Sequence, residues 1–325
     1  MPNSKPYTPK PETQARLIRK QAVKIYPEDP ELQERFVTSV LSGTSALPAL
    51  FWTGPPQALA SRQVADWQPD FVSVPDATTG GQDPRHVAGA YYLLDFSSIV
   101  SASAVLAIRE PVRTILDLCA APGGKGIFAW RALSPEILIS NEVIAKRAGM
   151  LIANLQRCHV SGASVVRFDP SQLAKLTPQA FDLTIVDAPC SGQSLIAKGE
   201  TAAGAFQPNL ISGNMTRQRR ILAEAAATVA PGGHLAYMTC TYSREENEKN
   251  VEWLLRRFPN FAAVEVPHLA GIQSKLADFP CYRHAPQDGM GVGGFVALLK
   301  NDVSGDTRPF NLSALRPIWR SPVEI

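Results

Sequence analysis

The 325-residue sequence has few cysteines and no long apolar run. Its five cysteines are odd in number and unevenly spaced, and no Cys-x-x-Cys pair occurs, so neither a disulfide framework nor a zinc site is expected. No apolar stretch reaches the roughly 18 residues that a membrane-spanning helix needs. The first residues, Met1-Pro-Asn-Ser-Lys-Pro, are polar, unlike a secretory signal. We therefore expect a cytoplasmic protein with reduced thiols, no metal and no membrane partner.

Charge of one sign is also scarce. The net charge is only +3, which permits an anionic partner without requiring one. Basic residues do cluster in two places, one near the start of the chain (Arg16, Arg19, Lys20 and Lys24) and one later (Arg217, Arg219 and Arg220). Taken alone, each cluster is typical of a solvated helix face. Beside a nucleic-acid site, the later cluster would be expected to contact phosphates.

Apolar runs alternate with amphipathic segments after Pro111, which predicts a sheet covered by helices on both faces. We predict seven strands, at 114–118, 137–143, 163–168, 183–186, 234–238, 262–266 and 295–299. The fold class is therefore α/β, with a doubly wound, mostly parallel, seven-stranded sheet. Residues 86–302 form this domain. Residues 1–85, two helices followed by short aromatic strands, form a small accessory domain, and residues 303–325 form a tail.

A turn of small residues follows the first predicted strand. It lies in Leu116-Asp-Leu-Cys-Ala-Ala-Pro-Gly-Gly-Lys125 and opens a helix, so its backbone can approach a ligand closely. Neither the phosphate-binding pattern Gly-x-x-x-x-Gly-Lys-Ser/Thr nor the dinucleotide pattern Gly-x-Gly-x-x-Gly is present. We therefore expect S-adenosylmethionine, a nucleoside cofactor without phosphate.

Two acids close the next two predicted strands. Glu142 is placed to accept both ribose hydroxyls of such a cofactor, and Asp169 to meet the adenine amino group. Each residue alone is equally explained as a helix N-cap or a surface acid. Their occurrence at successive strand ends favours the ligand interpretation.

Two cysteines lie just after predicted strands at the same sheet edge, Cys190 in Asp187-Ala-Pro-Cys-Ser-Gly192 and Cys240 in Thr239-Cys-Thr-Tyr-Ser. C5 of cytosine attacks a methyl donor only after a thiolate has added to C6, and a second group must then remove the C5 proton. Asp187 is suited to hydrogen-bond N3 and the exocyclic amine of such a ring. The target base must leave its stack to reach this pocket. The other cysteines, Cys119, Cys158 and Cys281, are expected to be packing residues.

These segments resemble the signature blocks of the Nop/Sun (Fmu) family of RNA cytosine-5 methyltransferases. The three blocks are Leu116–Lys125, 187–192 and Thr239-Cys-Thr-Tyr-Ser-Arg-Glu-Glu-Asn247, and they occur in order within residues 86–300. The resemblance implies a Rossmann-like methyltransferase sheet with a small, RNA-binding N-terminal domain. It also implies methyl transfer from S-adenosylmethionine to C5 of a cytosine in ribosomal or transfer RNA.

The resemblance also implies roles for individual residues. Cys240 would attack C6 and Cys190 would assist product release, while Asp187 and Pro189 would shape the cytosine pocket beside Lys125. The implied cofactor site comprises Cys119, Ala120, Ala121, Pro122, Gly123, Gly124, Lys125, Glu142, Arg147, Asp169 and Asp187. One departure is the segment 195–204, which lacks the family's Arg-rich continuation.

Two other functions stay open on the sequence. A DNA cytosine-5 methyltransferase carries its nucleophile in a Pro-Cys block like Pro189-Cys190, and would have no use for Cys240. A non-catalytic RNA-binding assembly factor would keep the fold without turnover. We expect RNA as the partner and a monomer as the working form.

Overall fold

The computed structural model describes residues 11–77 and 81–322, which form two sheets and the helices around them. The chain begins with two helices, α1 (Pro11–Ile25) and α2 (Pro30–Ser42). Asp29 caps α2 by accepting a hydrogen bond from the backbone N–H of Leu32 at 2.8 Å, so the two predicted helices are present and α2 starts afresh at Pro30. The two helices bury Ile18 and Phe36 in a cluster that also contains Tyr242 of the α/β domain.

The first sheet is small and antiparallel. Its strands are β1 (Pro48–Trp52), β2 (Ser61–Arg62), β3 (Val72–Pro75) and β4 (Tyr91–Asp95), in the order β2-β3-β1-β4. Because β4 pairs with β1 along its whole length, the sheet extends past the predicted domain boundary at residue 85. A short helix, α3 (Pro84–Val87), lies at that boundary. After β4 comes α4 (Phe96–Ala102), followed by a 3-10 turn at Ser103–Ala107.

The second sheet confirms the doubly wound, mostly parallel α/β fold. Its strands are β5 (Thr114–Asp117), β6 (Ile137–Asn141), β7 (Ala163–Val166), β8 (Phe181–Asp187), β9 (Val229–Thr239), β10 (Phe261–Ala263), β11 (Tyr282–His284), β12 (Gly294–Asn301) and β13 (Trp319–Arg320). The order is β10-β12-β9-β8-β5-β6-β7-β13, with β11 paired to β12. The five central strands from β9 to β7 run parallel, and β10, β11, β12 and β13 are antiparallel to their neighbours.

Within the residues that the structure describes, the second sheet has nine strands, not the predicted seven. All seven predicted strands are present, and β11 and β13 add three and two residues at the sides of the sheet. Strands this short show no recognisable alternation of apolar and polar residues, because they form only by pairing with the edge of a sheet that already exists. β13 lies in the predicted tail 303–325, where Leu315 is also buried. That segment is thus packed against the domain.

Helices cover both faces of the second sheet. They are α5 (Gly124–Leu133), α6 (Ala145–Arg157), α7 (Pro170–Leu176), α8 (Ser194–Ala197), α9 (Pro208–Thr228) and α10 (Glu248–Arg257). Neighbouring strand residues point to opposite faces, so Ile115 packs in the core with α5 and α6, and Leu116 in the core with α7, α9 and α10. None of the helices in the described ranges is both long and apolar enough to cross a bilayer.

The strand order reverses between β5 and β8. β5 pairs with β6 on one side and with β8 on the other, so the chain leaves the middle of the sheet in both directions. A crevice forms at such a switch point beyond the carboxyl ends of the strands, which is where ligands bind in open α/β sheets.

Candidate active site

The small-residue turn joins β5 to α5 at this switch point. Gly123 has φ +115°, a left-handed conformation that favours glycine, and it lies directly before α5. The turn is tied to its surroundings by side chains from β6 and α6: Asn141 Nδ2 donates to the Leu118 carbonyl at 3.1 Å, and Arg147 Nη2 donates to the Ala121 carbonyl at 2.6 Å. These bonds hold the backbone of the turn in one conformation.

Glu142 and Asp169 lie at the carboxyl ends of β6 and β7. The buried Glu142 carboxylate forms an ion pair with Arg147 at 3.1 Å and accepts the Ile144 N–H at 2.9 Å. Asp169 caps α7, where its carboxylate accepts the hydroxyl of Ser171 at 2.6 Å and its N–H at 3.0 Å. These two bonds lower the pKa of Asp169. The N-cap interpretation is therefore confirmed for Asp169, although its side chain also reaches the cavity described below.

The two predicted catalytic thiols lie side by side. Cys190 follows β8 and Cys240 follows β9, and their Sγ atoms are 3.3 Å apart. Their hydrogen bond separates the two pKa values, because a thiol that donates to a thiolate stabilises the acceptor's charge. The hydrogen bond lowers the pKa of Cys240; the charge of Lys125 adds to this shift, while burial and the charge of Asp187 oppose it. The same hydrogen bond raises the pKa of Cys190, and burial raises it further. Cys240 is therefore the thiol of the pair that loses its proton more readily, and Cys190 the one that retains it.

Lys125 and Asp187 form an ion pair of 2.7 Å beside the thiols. Burial opposes the charge on Lys125, but the attraction and hydrogen bond of Asp187 outweigh it, so the pKa of Lys125 is raised. The amine therefore stays protonated. It also contributes to the lowered pKa of Cys240.

Asp117, the last residue of β5, is a buried carboxyl that the sequence reasoning missed. Burial raises its pKa to about 7, and the charge of Asp187 adds to the rise. A Cβ atom at Gly126 would lie 2.6 Å from Asp117 Oδ2, so glycine is required at the position after Lys125. The sequence signal for this packing was Gly126, which directly follows the block Leu116–Lys125.

One cavity of about 550 Å³ joins the turn, the acids and the thiols. Ten of the predicted site residues line it: Cys119, Ala121, Pro122, Glu142, Arg147, Asp169, Asp187, Pro189, Cys190 and Cys240. Four do not line it, namely Ala120, Gly123, Gly124 and Lys125. Lys125 nevertheless acts on the cavity through its ion pair with Asp187.

Arg217 and Arg220 of α9 also line the cavity, together with Asn141, Val143 and Ile144, which the prediction did not include. Neither arginine makes a hydrogen bond or ion pair with any residue in the described ranges. Arg219 points elsewhere, because its guanidinium donates to Asn250 at 3.0 Å and lies 5.6 Å from the centre of the Trp253 ring. The three-residue cluster therefore divides into two cavity arginines and one structural arginine.

The remaining sequence candidates lie away from the cavity. Cys158 and Cys281 are buried in the two cores, as expected. In the early basic cluster, Arg19 pairs with Glu34 at 2.5 Å and Lys24 pairs with Glu245 at 2.8 Å. These two pairs neutralise part of the charge that α1 presents.

A family model described as 16S rRNA methyltransferase RsmB/F matches residues 104–300. Curated relatives include the ribosomal RNA small subunit methyltransferase F of Klebsiella pneumoniae, 35% identical over 204 residues, which are 62% of this chain and 42% of that protein. The protein of the same name from Cronobacter sakazakii is 33% identical over 239 residues, or 72% of this chain and 49% of that protein. The chain thus spans less than half the length of these two relatives.

Solved structures share the fold. The structure of NSun6 from Pyrococcus horikoshii with SFG gives a TM-score of 0.69 at 16% identity, covering 89% of this chain and 98% of that chain. A methyltransferase homolog protein from the same organism gives 0.71 at 18% identity, covering 90% and 100%. At these identities the likeness extends to the fold alone.

Proposed function

Because the chain belongs to the 16S rRNA methyltransferase RsmB/F family, we propose that it methylates C5 of a cytosine in ribosomal RNA with S-adenosylmethionine. The observation that carries this proposal is the 3.3 Å contact between Cys190 and Cys240 at the wall of a cavity that also contains the cofactor-type residues. Methyl donor, nucleophile and proton acceptor have to meet in one space for this chemistry.

The residues present fit the cofactor. Glu142, paired with Arg147, offers a buried acceptor for ribose hydroxyls, and the fixed turn at 119–123 offers backbone groups at a helix start. Val143 and Ile144 are half-exposed apolar side chains at the cavity edge, suited to an adenine face. S-adenosylmethionine, when bound, supplies a methyl group on a positively charged sulfur.

Cys240 is the nucleophile in this proposal. Its lowered pKa gives the thiolate that adds to C6, forming the sulfur–carbon bond and shifting charge towards N3 of the ring. Asp187 lies on the same wall, where its carboxylate accepts a hydrogen bond from the 4-amino group. Lys125, 2.7 Å behind it, places a positive charge close to where the negative charge develops.

Cys190 removes the C5 proton after methylation, and the bond between Cys240 and C6 then breaks. The same hydrogen bond explains how a thiol with a raised pKa becomes a base. The largest cause of the raised pKa of Cys190 is the hydrogen bond with Cys240, and this bond disappears when Cys240 is bonded to carbon. The pKa of Cys190 then falls, so its thiol proton is released to solvent, and the resulting thiolate takes the C5 proton.

This order of roles distinguishes the proposal from a DNA-type mechanism. There, Cys190 would be the attacking thiolate, whereas here it is the hydrogen-bond donor to Cys240. The proposal is tested by incubating the protein with small-subunit ribosomal RNA and S-adenosylmethionine, followed by bisulfite sequencing. We expect one or a few protected cytosines. No protected cytosine in the naked RNA or in the assembled subunit would refute it.

Replacing Glu142 tests the cofactor site. Glu142→Gln removes a buried charged acceptor, so we expect the affinity for S-adenosylhomocysteine to fall about tenfold to a hundredfold. Calorimetric titration measures it. Glu136→Gln, at the opposite end of β6, is the matched control and should leave the affinity unchanged. Equal affinities for the wild type and Glu142→Gln would contradict the assignment.

The cavity arginines are proposed to contact RNA phosphates next to the target base. Each lost phosphate contact reduces the salt dependence of binding, so Arg217→Ala/Arg220→Ala should flatten the slope of log K against log salt by about 1 to 2. Fluorescence anisotropy over a salt series measures this slope. Arg219→Ala is the matched control: it should lower thermal stability and leave the slope intact. A slope change in Arg219→Ala as large as in the double variant would contradict the proposal.

The N-terminal region is proposed to extend the RNA surface. Arg16 and Lys20 on α1 make no ion pair with any residue that the structure describes, unlike Arg19 and Lys24. They are therefore the available cations of this helix.

A further inference from the structure

Glu246, a fully buried carboxylate just before α10, holds both neighbours of Cys190. On one side it accepts the Ser191 N–H at 2.9 Å and the Ser191 hydroxyl at 2.5 Å. On the other side Gln218 Nε2 donates both to Glu246 at 2.9 Å and to the Pro189 carbonyl at 3.1 Å. The backbone on each side of the first thiol is thus fixed by one carboxylate.

Asn247, the next residue, does the same for Cys240. Its Oδ1 accepts the Thr239 hydroxyl at 2.6 Å, and its Nδ2 donates to the Thr241 carbonyl at 2.9 Å. Asn247 is also fully buried. The residues on each side of the second thiol are therefore held by one amide, Thr239 through its hydroxyl and Thr241 through its carbonyl.

The two holding residues are adjacent in the chain, and the loops they hold are also bonded directly. The hydroxyls of Ser191 and Thr241 lie 2.8 Å apart. Neither Glu246 nor Asn247 lines the cavity, so neither reaches cofactor or base. Buried polar networks in which every group is paired are rigid, and here the rigid unit includes the neighbours of both sulfur atoms.

We propose that Glu246 and Asn247 are positioning residues that set the separation of the two thiols. That separation fixes the hydrogen bond that makes Cys240 a thiolate, and it brings Cys190 to the proton it removes. Only this catalytic consequence rests on the proposed function; the geometric part holds for any reaction of the pair. The two residues should affect turnover and leave cofactor affinity unchanged.

Isosteric substitutions distinguish an effect of the hydrogen bonds from an effect of side-chain volume. In Glu246→Gln the amide oxygen still accepts from the Ser191 N–H and Gln218, and the amide nitrogen donates to the Ser191 hydroxyl, which then donates to Thr241. Glu246→Ala leaves those donors without an acceptor in a buried site. Asn247→Asp keeps the acceptor for Thr239 but turns a carboxylate oxygen towards the Thr241 carbonyl.

Phenylarsine oxide measures the separation of the thiols without any methylation. It condenses with two nearby thiols to form two arsenic–sulfur bonds and one water, with no change of oxidation state. The full-length protein is loaded with one equivalent and challenged with glutathione, and retained arsenic is measured by mass spectrometry. Cys119→Ser, in the same cavity, tests whether Cys119 contributes to the binding.

We expect Glu246→Ala and Asn247→Asp to weaken retention at least about tenfold, and Glu246→Gln to stay within about twofold of the wild type. The first two should also lower kcat with unchanged KM for RNA and unchanged affinity for S-adenosylhomocysteine. Asn247→Asp answers the question if Glu246→Ala does not fold.

Wild-type retention in folded Glu246→Ala or Asn247→Asp would overturn the proposal. So would an equal loss in Glu246→Gln and Glu246→Ala. The expected arsenical pattern in a protein that methylates no RNA would refute the proposed function while supporting the positioning role.

Discussion

Replacing Cys240 with alanine is expected to abolish methyl transfer, with kcat reduced at least about a thousandfold. The reason is chemical: without a sulfur at C6, C5 of cytosine does not become nucleophilic enough to take a methyl group. Transfer of tritiated methyl groups from S-adenosylmethionine to small-subunit RNA measures the rate. Affinity for S-adenosylhomocysteine should stay close to that of the wild type.

Cys158→Ala is the control for this experiment, because Cys158 is buried in a core away from the cavity. It should cost some stability and little activity. If Cys240→Ala methylated RNA at a rate near the wild type, the assignment of the nucleophile would be wrong.

Replacing Cys190 with alanine is expected to trap the enzyme on its RNA. The nucleophile still adds and methylation still occurs, but no group removes the C5 proton, so the bond between Cys240 and C6 persists. Turnover should fall at least about a hundredfold. A denaturing gel with labelled RNA should show a band that protease treatment removes.

The double variant Cys190→Ala/Cys240→Ala distinguishes a true adduct from tight binding. It should give no protein–RNA band, since the bond requires the sulfur of Cys240. A band of equal intensity in the double variant would contradict the mechanism, as would free turnover of Cys190→Ala.

The sequence was sufficient for the central sheet and the location of the site. Each of the five parallel strands is a short apolar run. Such runs are recognisable in the sequence because burial on both faces requires apolar residues at nearly every position. Once the strands are placed, Glu142, Asp169, Cys190 and Cys240 must share an edge, since the carboxyl ends of parallel strands coincide.

Features decided by three-dimensional pairing were not predictable. β13 has two residues and exists because the β7 edge is available to it. β4 pairs with β1 and so carries the first sheet across the predicted boundary at residue 85. Neither of these strand pairings produces a periodic pattern in the sequence.

The roles of Glu246 and Gln218 show the same limit at the level of side chains. Glu246 lies inside the block at 239–247, but nothing in the sequence says that it faces Ser191 and Gln218 rather than solvent. Their contacts join segments 28 and 55 residues apart, so only the folded chain reveals them. Glu245, the preceding residue of the same type, pairs instead with Lys24.

The most direct test uses RNA in which 5-fluorocytidine replaces cytidine. Fluorine at C5 is not removed as a proton is, so the enzyme stops as a methylated covalent adduct in the presence of S-adenosylmethionine. Nuclease and protease digestion followed by mass spectrometry identifies the cysteine that carries the nucleotide. The account predicts the adduct on Cys240. An adduct on Cys190, or none with ribosomal RNA, would contradict it.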